Sequence, residues 1–550
     1  MNAGGFSPAL RGLVKKFNGG LFAPGPNGPP EPLPVDEAMI NLLIIASKRD
    51  WSEVEPAIFG TLLENAISTK QRAQLGAHFT PRAFVEVLVQ HTVLDPLLDD
   101  WAGVKAASVA KAELGDNVGA AKVVREFHAR LCNIKVLDPA CGTANFLYVT
   151  LDLMKRLEGE ILDLLANLSL GEGERLDLNQ SSVDPHQFLG IELNPRAVPV
   201  AELVLWIGWL QWQFRTRGER EVAEPILRDF HNIQHADALL DYKSTTPTKD
   251  GQGKLVSRWG GGTKLHPITG EAIPDETDRV LMERPVKPKV TIWPAADYIV
   301  GNPPFIAGKD LRADLGDGYA EALWETYPKV NKSADLAMHF WSKAARLLEA
   351  GKIRRFGFIT SNSIRQVFCR RVVADALAGR KPIHLAFAVP DHPWTDGQGS
   401  AAVRISMTVA APGAAAGTFA HVIREEQGAD DVPIVVFENR SGTINSDLTI
   451  GTHVKAARPL RANERISGRG MSLHGSGFIV SPQVAKGLGL GRVPGLDQHI
   501  RPYLNGRDLT QRSRGAMVID LFGLTEDQVR ERFPATFQHL LLRVKRIPPA

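Results

Sequence analysis

The sequence predicts an α/β fold: a doubly wound, mostly parallel sheet, a helical N-terminal region and a smaller, more β-rich C-terminal domain. Three observations carry that expectation. Short apolar runs alternate with helical periodicity from residue 131 to about 410, the signature of repeated strand–helix–strand units. Several of those runs end in Gly, Pro, Asn or acidic residues, and sheets of this kind bind ligands beyond the carboxyl ends of their strands. Past 411 the helical period fades and short β-like runs replace it.

Taken in order, residues 1–35 are rich in Gly and Pro and read as a flexible lead-in. From 36 to 130 the pattern is helical. Asp36-Glu37 opens one helix, and Pro81 sits at the start of another over 82–91. Strands are expected at 134–137, 188–193, 232–236, 298–300, 355–360, 384–389 and 403–410. The helices between them are expected at 144–168, from the second strand to about 214, at 333–349 and at 364–378. Residues 241–295, with many prolines and mixed charge, read as a long insertion. Residues 411–550 form the expected second domain, and between 455 and 515 eleven Lys and Arg face three acidic residues. That run is either a solvated basic face or a phosphate-contacting one.

Composition narrows the function classes. With 44% apolar and 23% charged residues, the 550-residue chain is an ordinary globular protein of more than one domain. A net charge of +3 is too small to specify a nucleic-acid partner by itself. Cys132, Cys141 and Cys369 are too few and scattered for a disulfide framework or a zinc site. They fit a reducing compartment, so a cytoplasmic protein is expected. The apolar stretches at 39–46 and 203–210 are too short to span a bilayer, and neither a membrane partner nor a metal site is expected.

The chemistry sits at strand ends. Residues 297–305 read Asp-Tyr-Ile-Val-Gly-Asn-Pro-Pro-Phe, a strand ending in Asn302-Pro303-Pro304-Phe305. The Asn302 amide oxygen and the Pro303 carbonyl can each accept one hydrogen of an exocyclic –NH2. Adjacent prolines hold those acceptors with little freedom, and Phe305 offers a ring face for stacking. The plain alternative is a strand followed by a proline-rich turn. After the first strand, Asp138-Pro-Ala140-Cys-Gly142-Thr-Ala-Asn-Phe146 leads into a helix whose N-terminus presents unpaired N–H groups to a ligand. Glu192 ends the second strand, where it can accept both hydroxyls of a ribose or favour the following helix dipole. Asp237 ends the third, where it can receive a ring amino group.

In this order the motifs resemble the S-adenosylmethionine-dependent amino-group DNA methyltransferases whose target-recognition domain follows the catalytic one. The chain looks closest to the large adenine-specific enzymes of bacterial restriction–modification and phage-defence systems. The resemblance runs from about Phe17 to the C-terminus. Its specific parts are the NPPF and DPACG motifs.

It implies a Rossmann-like methyltransferase sheet over 131–410, S-adenosyl-L-methionine as cofactor, double-stranded DNA as partner, and restriction or defence-system subunits as further partners. Thr80 and Pro81, in Gly-Ala-His-Phe-Thr-Pro, match the motif around the methionine end of the cofactor. Asp138, Ala140, Gly142 and Phe146 match the cofactor loop, Glu192 the ribose acid and Asp237 the adenine acid. Asn302, Pro303, Pro304 and Phe305 match the catalytic motif. The segment from Phe358 through Asn362 resembles one that lines the base pocket, and the one from Asp391 through Trp394 to Arg404 a later pocket-forming segment, with no role assigned inside it.

The chain departs from the pattern in places. Ala144 stands where the family has a second glycine, at a cost of order 1 kcal/mol if φ there is positive. The 54 residues between Asp138 and Glu192 imply an insertion near 169–186. The segment from Pro502 to Asp508 resembles the family's recognition region, which continues where this chain stops at Ala550, so an incomplete recognition domain is expected.

No Glu-x-Lys occurs in the sequence, so a nuclease built on that pair is not expected here and cleavage falls to a partner. Two other readings stay open: a catalytically silent DNA- or cofactor-binding fragment of a defence complex, and a protein-glutamine or RNA methyltransferase. The basic C-terminal region and Phe at 305 count against a protein substrate. Trp206, Trp209 and Trp212 read as helix-spaced core residues, Cys141 as a packing residue, and Asp335 as a first-turn carboxylate.

Overall fold

The computed structural model describes residues 5–7, 12–14, 35–49, 54–56, 58, 60, 80–168, 182–217, 232–249, 252–259, 263–265, 272–275, 277–394, 403–427, 433–451, 460–463, 476–510 and 512–543. The chain forms two compact units, Met1–Val454 and Lys455–Ala550.

In the first unit, helices α1 (Glu37–Ser47), α2 (Arg82–Val89), α3 (Asp95–Glu113) and α4 (Asn117–Leu131) come first. Asp36 caps α1 by accepting the Met39 N–H at 2.8 Å. The helix expected over 82–91 runs on through a wider turn, Gln90–Leu94, into α3.

Strands and helices then alternate: β1 (Val136–Asp138), α5 (Asn145–Asn167), β2 (Phe188–Glu192), α6 (Ala197–Arg217), β3 (Ile233–His235) and β4 (Tyr298–Gly301). Next come α7 (Leu311–Leu315), α8 (Asp317–Thr326), α9 (Ala337–Glu349), β5 (Arg355–Ser361) and α10 (Val367–Leu377). Four long strands close the unit: β6 (Ile383–Trp394), β7 (Val403–Pro412), β8 (Gly417–Gln427) and β9 (Pro433–Gly442).

One nine-stranded sheet takes them all in the order β9-β8-β6-β7-β5-β4-β1-β2-β3. Strands β1 to β5 are mutually parallel, and β7 runs antiparallel between β5 and β6. The strand order reverses between β1 and β4, which is where such sheets open a crevice for ligands. Tyr298, Ile299 and Val300 of β4 are all at most 1% exposed, as a central strand covered on both faces requires.

The expected boundary at 410 does not hold. β8 pairs in parallel with β6 and antiparallel with β9, so residues 417–442 extend this sheet rather than begin another domain. Their alternating pattern is that of any antiparallel pair, and it carries no mark of the sheet joined.

The insertion at 241–295 leaves β3 as an antiparallel arm, in which Thr245–Pro247 faces Glu283–Pro285 and Ser257–Trp259 faces Arg279–Leu281. The insertion expected near 169–186 falls mostly on residues outside those described.

The second unit holds a three-stranded antiparallel sheet, β10 (Ile479–Val480), β12 (Met517–Ile519) and β11 (Ile500–Pro502), over a small core containing Leu496 and Phe533. In it Asp508 is buried and accepts the backbone N–H groups of Asn505 and Arg514 and two bonds from the Arg514 guanidinium. Lys486, Arg492, Arg501 and Arg512 are exposed. No helix among the described residues is long and apolar enough to cross a membrane.

Candidate active site

The turn after β1 passes close beneath β2. A Cβ at Gly190 would lie 2.6 Å from the Cys141 sulfur, so glycine is required there and Cys141 is a packing residue, its thiol pushed up by burial. Gly142 (φ +54°) and Ala144 (φ +67°) both adopt left-handed backbone. The position expected to favour glycine does need φ > 0, and Ala144 bears roughly 1 kcal/mol of strain for it.

Asp138 ends β1 almost fully buried and accepts the Ala140 N–H at 3.0 Å. Burial pushes its carboxyl up to about 8, reinforced by Glu192 and opposed by that N–H. Glu192 accepts the Gly142 N–H at 2.8 Å on one oxygen and the Asn194 N–H at 2.7 Å on the other. The acid at the tip of β2 thus holds the backbone of the turn after β1 as well as the start of its own turn. Burial raises its carboxyl too, against those N–H groups.

Asn302 follows β4, beside the β1 turn: a Cβ on the preceding Gly301 would sit 2.5 Å from Asp138 Oδ1. The Asn302 Nδ2 donates to Thr80 Oγ1 at 3.0 Å, and the Thr80 carbonyl accepts from Asn145 Nδ2 at 2.7 Å. Thr80 therefore ties the N-terminal motif to both the start of α5 and Asn302. The Oδ1 atoms of Asn302 and Asn145 are shielded from solvent and have no hydrogen-bond partner among the described residues.

Of the other expected residues, Pro81 precedes α2 and is half-buried, Pro303 is buried, Pro304 is half-buried, and Phe146 packs in the core. Phe305 meets Trp394 edge-on with ring centroids 6.1 Å apart, and Phe84 lies 5.7 Å from the same indole. Gly76 to Phe79 and Asp396 lie outside the described residues.

Asp237 is held more completely. One carboxylate oxygen accepts the N–H groups of Leu239 and Leu240, and the other the Tyr319 hydroxyl at 2.7 Å. Burial raises its carboxyl. Tyr319 has no sequence signal that links it to residue 237.

Asp335, expected in a first turn, lies just before α9 and joins loops instead. It accepts the Gly308 N–H at 3.1 Å and the hydroxyls of Ser361 and Ser363, fastening the loop after Phe305 to the tip of β5. Asn362, Asp391 and Arg404 meet across β5, β6 and β7, with Asp391 accepting from both others.

Two metal-like patterns resolve differently. His128, Cys132 and Glu158 converge within 4.8 Å, but Glu158 already accepts from His128, Lys155 and the Val183 N–H, an ion-pair cluster. His231 and His235 are spaced like a helical ligand pair. His235, however, lies on β3 with its ring against the Leu193 carbonyl, and His231 lies outside the described residues. Trp206 and Trp209 pack edge-on, 5.7 Å apart; both are half-buried, and Trp209 packs against the core.

Comparison with known proteins places this geometry. A family model described as the MmeI DNA-methyltransferase domain matches residues 113–416, more than half of the chain. DNA methyltransferase A of Bacillus subtilis (strain 168) is 30% identical over 183 residues, 33% of this chain and 18% of that protein. The solved structure of the Type IIL restriction-modification enzyme MmeI in complex with DNA is 21% identical. It covers 95% of this chain and 62% of that one, with a TM-score of 0.58. The chain thus spans less than a fifth of the curated relative and under two thirds of the solved one.

Proposed function

This chain belongs to the MmeI DNA-methyltransferase family, and from that premise we propose that it methylates the exocyclic N6 of adenine in double-stranded DNA, using S-adenosyl-L-methionine. The observation that carries the reading is the unpartnered, shielded Oδ1 of Asn302. A buried acceptor left unfilled costs about 1–3 kcal/mol, and an amino group bound there would recover it.

The residues present fit the cofactor. Asp138, Ala140 and Gly142 shape a turn at a helix N-terminus, Glu192 stands at the strand tip that suits a ribose, and Asp237 at the next. Thr80 joins the methionine-side motif to Asn302. Bound there, S-adenosylmethionine supplies an electrophilic methyl group on sulfonium sulfur.

The chain's own residues would do the rest. The adenine amino lone pair is delocalised into its ring and is a poor nucleophile. Asn302 Oδ1 and the Pro303 carbonyl accept its two hydrogens, localise that pair and stabilise positive charge as it develops on nitrogen. No titratable base is needed at that step. Phe305, backed by Trp394, holds a base turned out of the duplex. The exposed cations of the second unit suit backbone phosphates, and a restriction or defence-system subunit would supply cleavage. A DNA substrate also places the protein in the cytoplasm.

The test is transfer of labelled methyl to unmethylated bacterial DNA, followed by nucleoside analysis. N6-methyladenine is the expected product. Label on cytosine or on protein would refute the assignment.

A further inference from the structure

The segment Asp237-Ala238-Leu239 is clamped from one side by residues that no motif marks. Thr291 Oγ1 donates to the Asp237 carbonyl at 2.8 Å, and Tyr327 OH to the Leu239 carbonyl at 2.9 Å. The Ala238 carbonyl takes two donors, Trp293 Nε1 and Lys343 Nζ, both at 2.8 Å. Lys343 also donates to the Thr291 carbonyl at 2.6 Å, and its ammonium lies 4.3 Å from the centre of the Trp293 ring. It reaches there from α9, and the residue is only 7% exposed.

An ammonium in such a place is costly, and neutral partners could bond the same carbonyls. Burial lowers Lys343 to about 7, opposed by Asp237. A buried cation that bridges the Ala238 and Thr291 carbonyls fixes their separation. Thr291 in turn donates to the Asp237 carbonyl, so the backbone on both sides of the 237–238 peptide is held. A carboxylate has about four acceptor positions. Two N–H groups and the Tyr319 hydroxyl fill three of them here, leaving one acceptor direction set by the loop's conformation.

We propose that Lys343 is a positioning residue for cofactor selection: by clamping the Ala238 and Thr291 carbonyls, it aims the remaining acceptor of Asp237 at the 6-amino group of the adenine moiety. The inference rests on the reading of Asp237 as the residue that receives that ring. Its consequence is discrimination by the clamp, since a donor at position 6 is accepted and a carbonyl oxygen there meets an oxygen.

The probes are S-adenosylhomocysteine and its 6-oxo counterpart, S-inosylhomocysteine, titrated calorimetrically into the full chain. Wild type should prefer the 6-amino form by at least about tenfold, as one well-aligned hydrogen bond to a charged acceptor provides. Lys343→Met, close in volume and without donors, should lose most of that preference, chiefly by weaker binding of the 6-amino form. Tyr319→Phe should shift the preference the same way, and it serves if Lys343→Met fails to fold. Asp237→Asn combined with either should add little, because all act through one acceptor.

A merely structural role predicts something different. Both probes would weaken by the same factor and the preference would persist, which would overturn the proposal. Wild type that binds both probes equally would overturn the Asp237 assignment and this proposal with it. Wild type that binds neither would overturn the cofactor reading itself.

Discussion

The tips of β3 and β4 lie along one edge of the same sheet and are built in opposite ways. After β3, the carbonyls of residues 237 to 239 each receive a side-chain donor, and the Asp237 carboxylate takes three hydrogen bonds. After β4, Asn302 and the neighbouring Asn145 keep amide oxygens that are shielded and unpartnered. A fold tolerates such acceptors where a ligand fills them, since each otherwise costs about 1–3 kcal/mol. The β3 corner is largely completed by the folded chain, which suits the recognition proposed for it. The β4 corner keeps its acceptors open, which suits the chemistry proposed for it.

The largest effect that bears on this contrast belongs to Asn302. Asn302→Ala should lower methyl transfer by at least about 10²–10³-fold while cofactor affinity, measured calorimetrically, stays within a few fold. Loss of both together would mean that the β4 corner also anchors the cofactor.

Next in size is a pH effect on α9, the helix that carries Lys343. His339 is buried there, and burial, opposed by the nearby Asp335 and Leu336 backbone, holds its imidazole down at about 4. Its ordinary value is near 6.5, so between pH 6.5 and 4 the unfolded chain binds more protons than the folded one. Stability should therefore fall as pH drops through that window, by of order 3 kcal/mol. His339→Phe should remove that share of the dependence in denaturant melts at pH 7.5, 6 and 5. An unchanged slope in the variant would show that His339 is not its source.

Thr80→Val should lower kcat by about tenfold, roughly one neutral hydrogen bond, by releasing the Asn302 amide from its only described tether. If KM for the cofactor rises instead, Thr80 acts on the β1 side through Asn145. The smallest effect is expected at Ala144. Ala144→Gly should raise the midpoint of unfolding, worth about 0.5–1 kcal/mol, and a lowered midpoint would show that its φ of +67° carries no strain.

Much of this architecture is legible in the amino-acid sequence. Apolar runs that end in Asp138, Glu192, Asp237 and Asn302 mark the strands and the edge they share, because a doubly wound sheet allows its ligand crevice in one place. Ala144 is legible too, since left-handed backbone penalises a Cβ wherever it occurs.

What stays hidden depends on partners distant in sequence. Tyr319, Trp293 and Lys343 reach residues 237–239 from 82, 55 and 105 residues away. Asp335 acts on loops 26 to 28 residues away, as well as one before it. The membership of β8 and β9 in the main sheet is equally invisible, because backbone pairing leaves little trace in side-chain pattern.

The most decisive experiment sets wild type beside Asn302→Ala, measuring methyl transfer to unmethylated DNA and cofactor affinity on the same preparations. N6-methyladenine should come from wild type alone, with both proteins binding cofactor comparably. Methylation retained by the variant, or a wild type that binds cofactor and DNA yet modifies no adenine, would contradict the assignment of Asn302 as the acceptor of the adenine amino group.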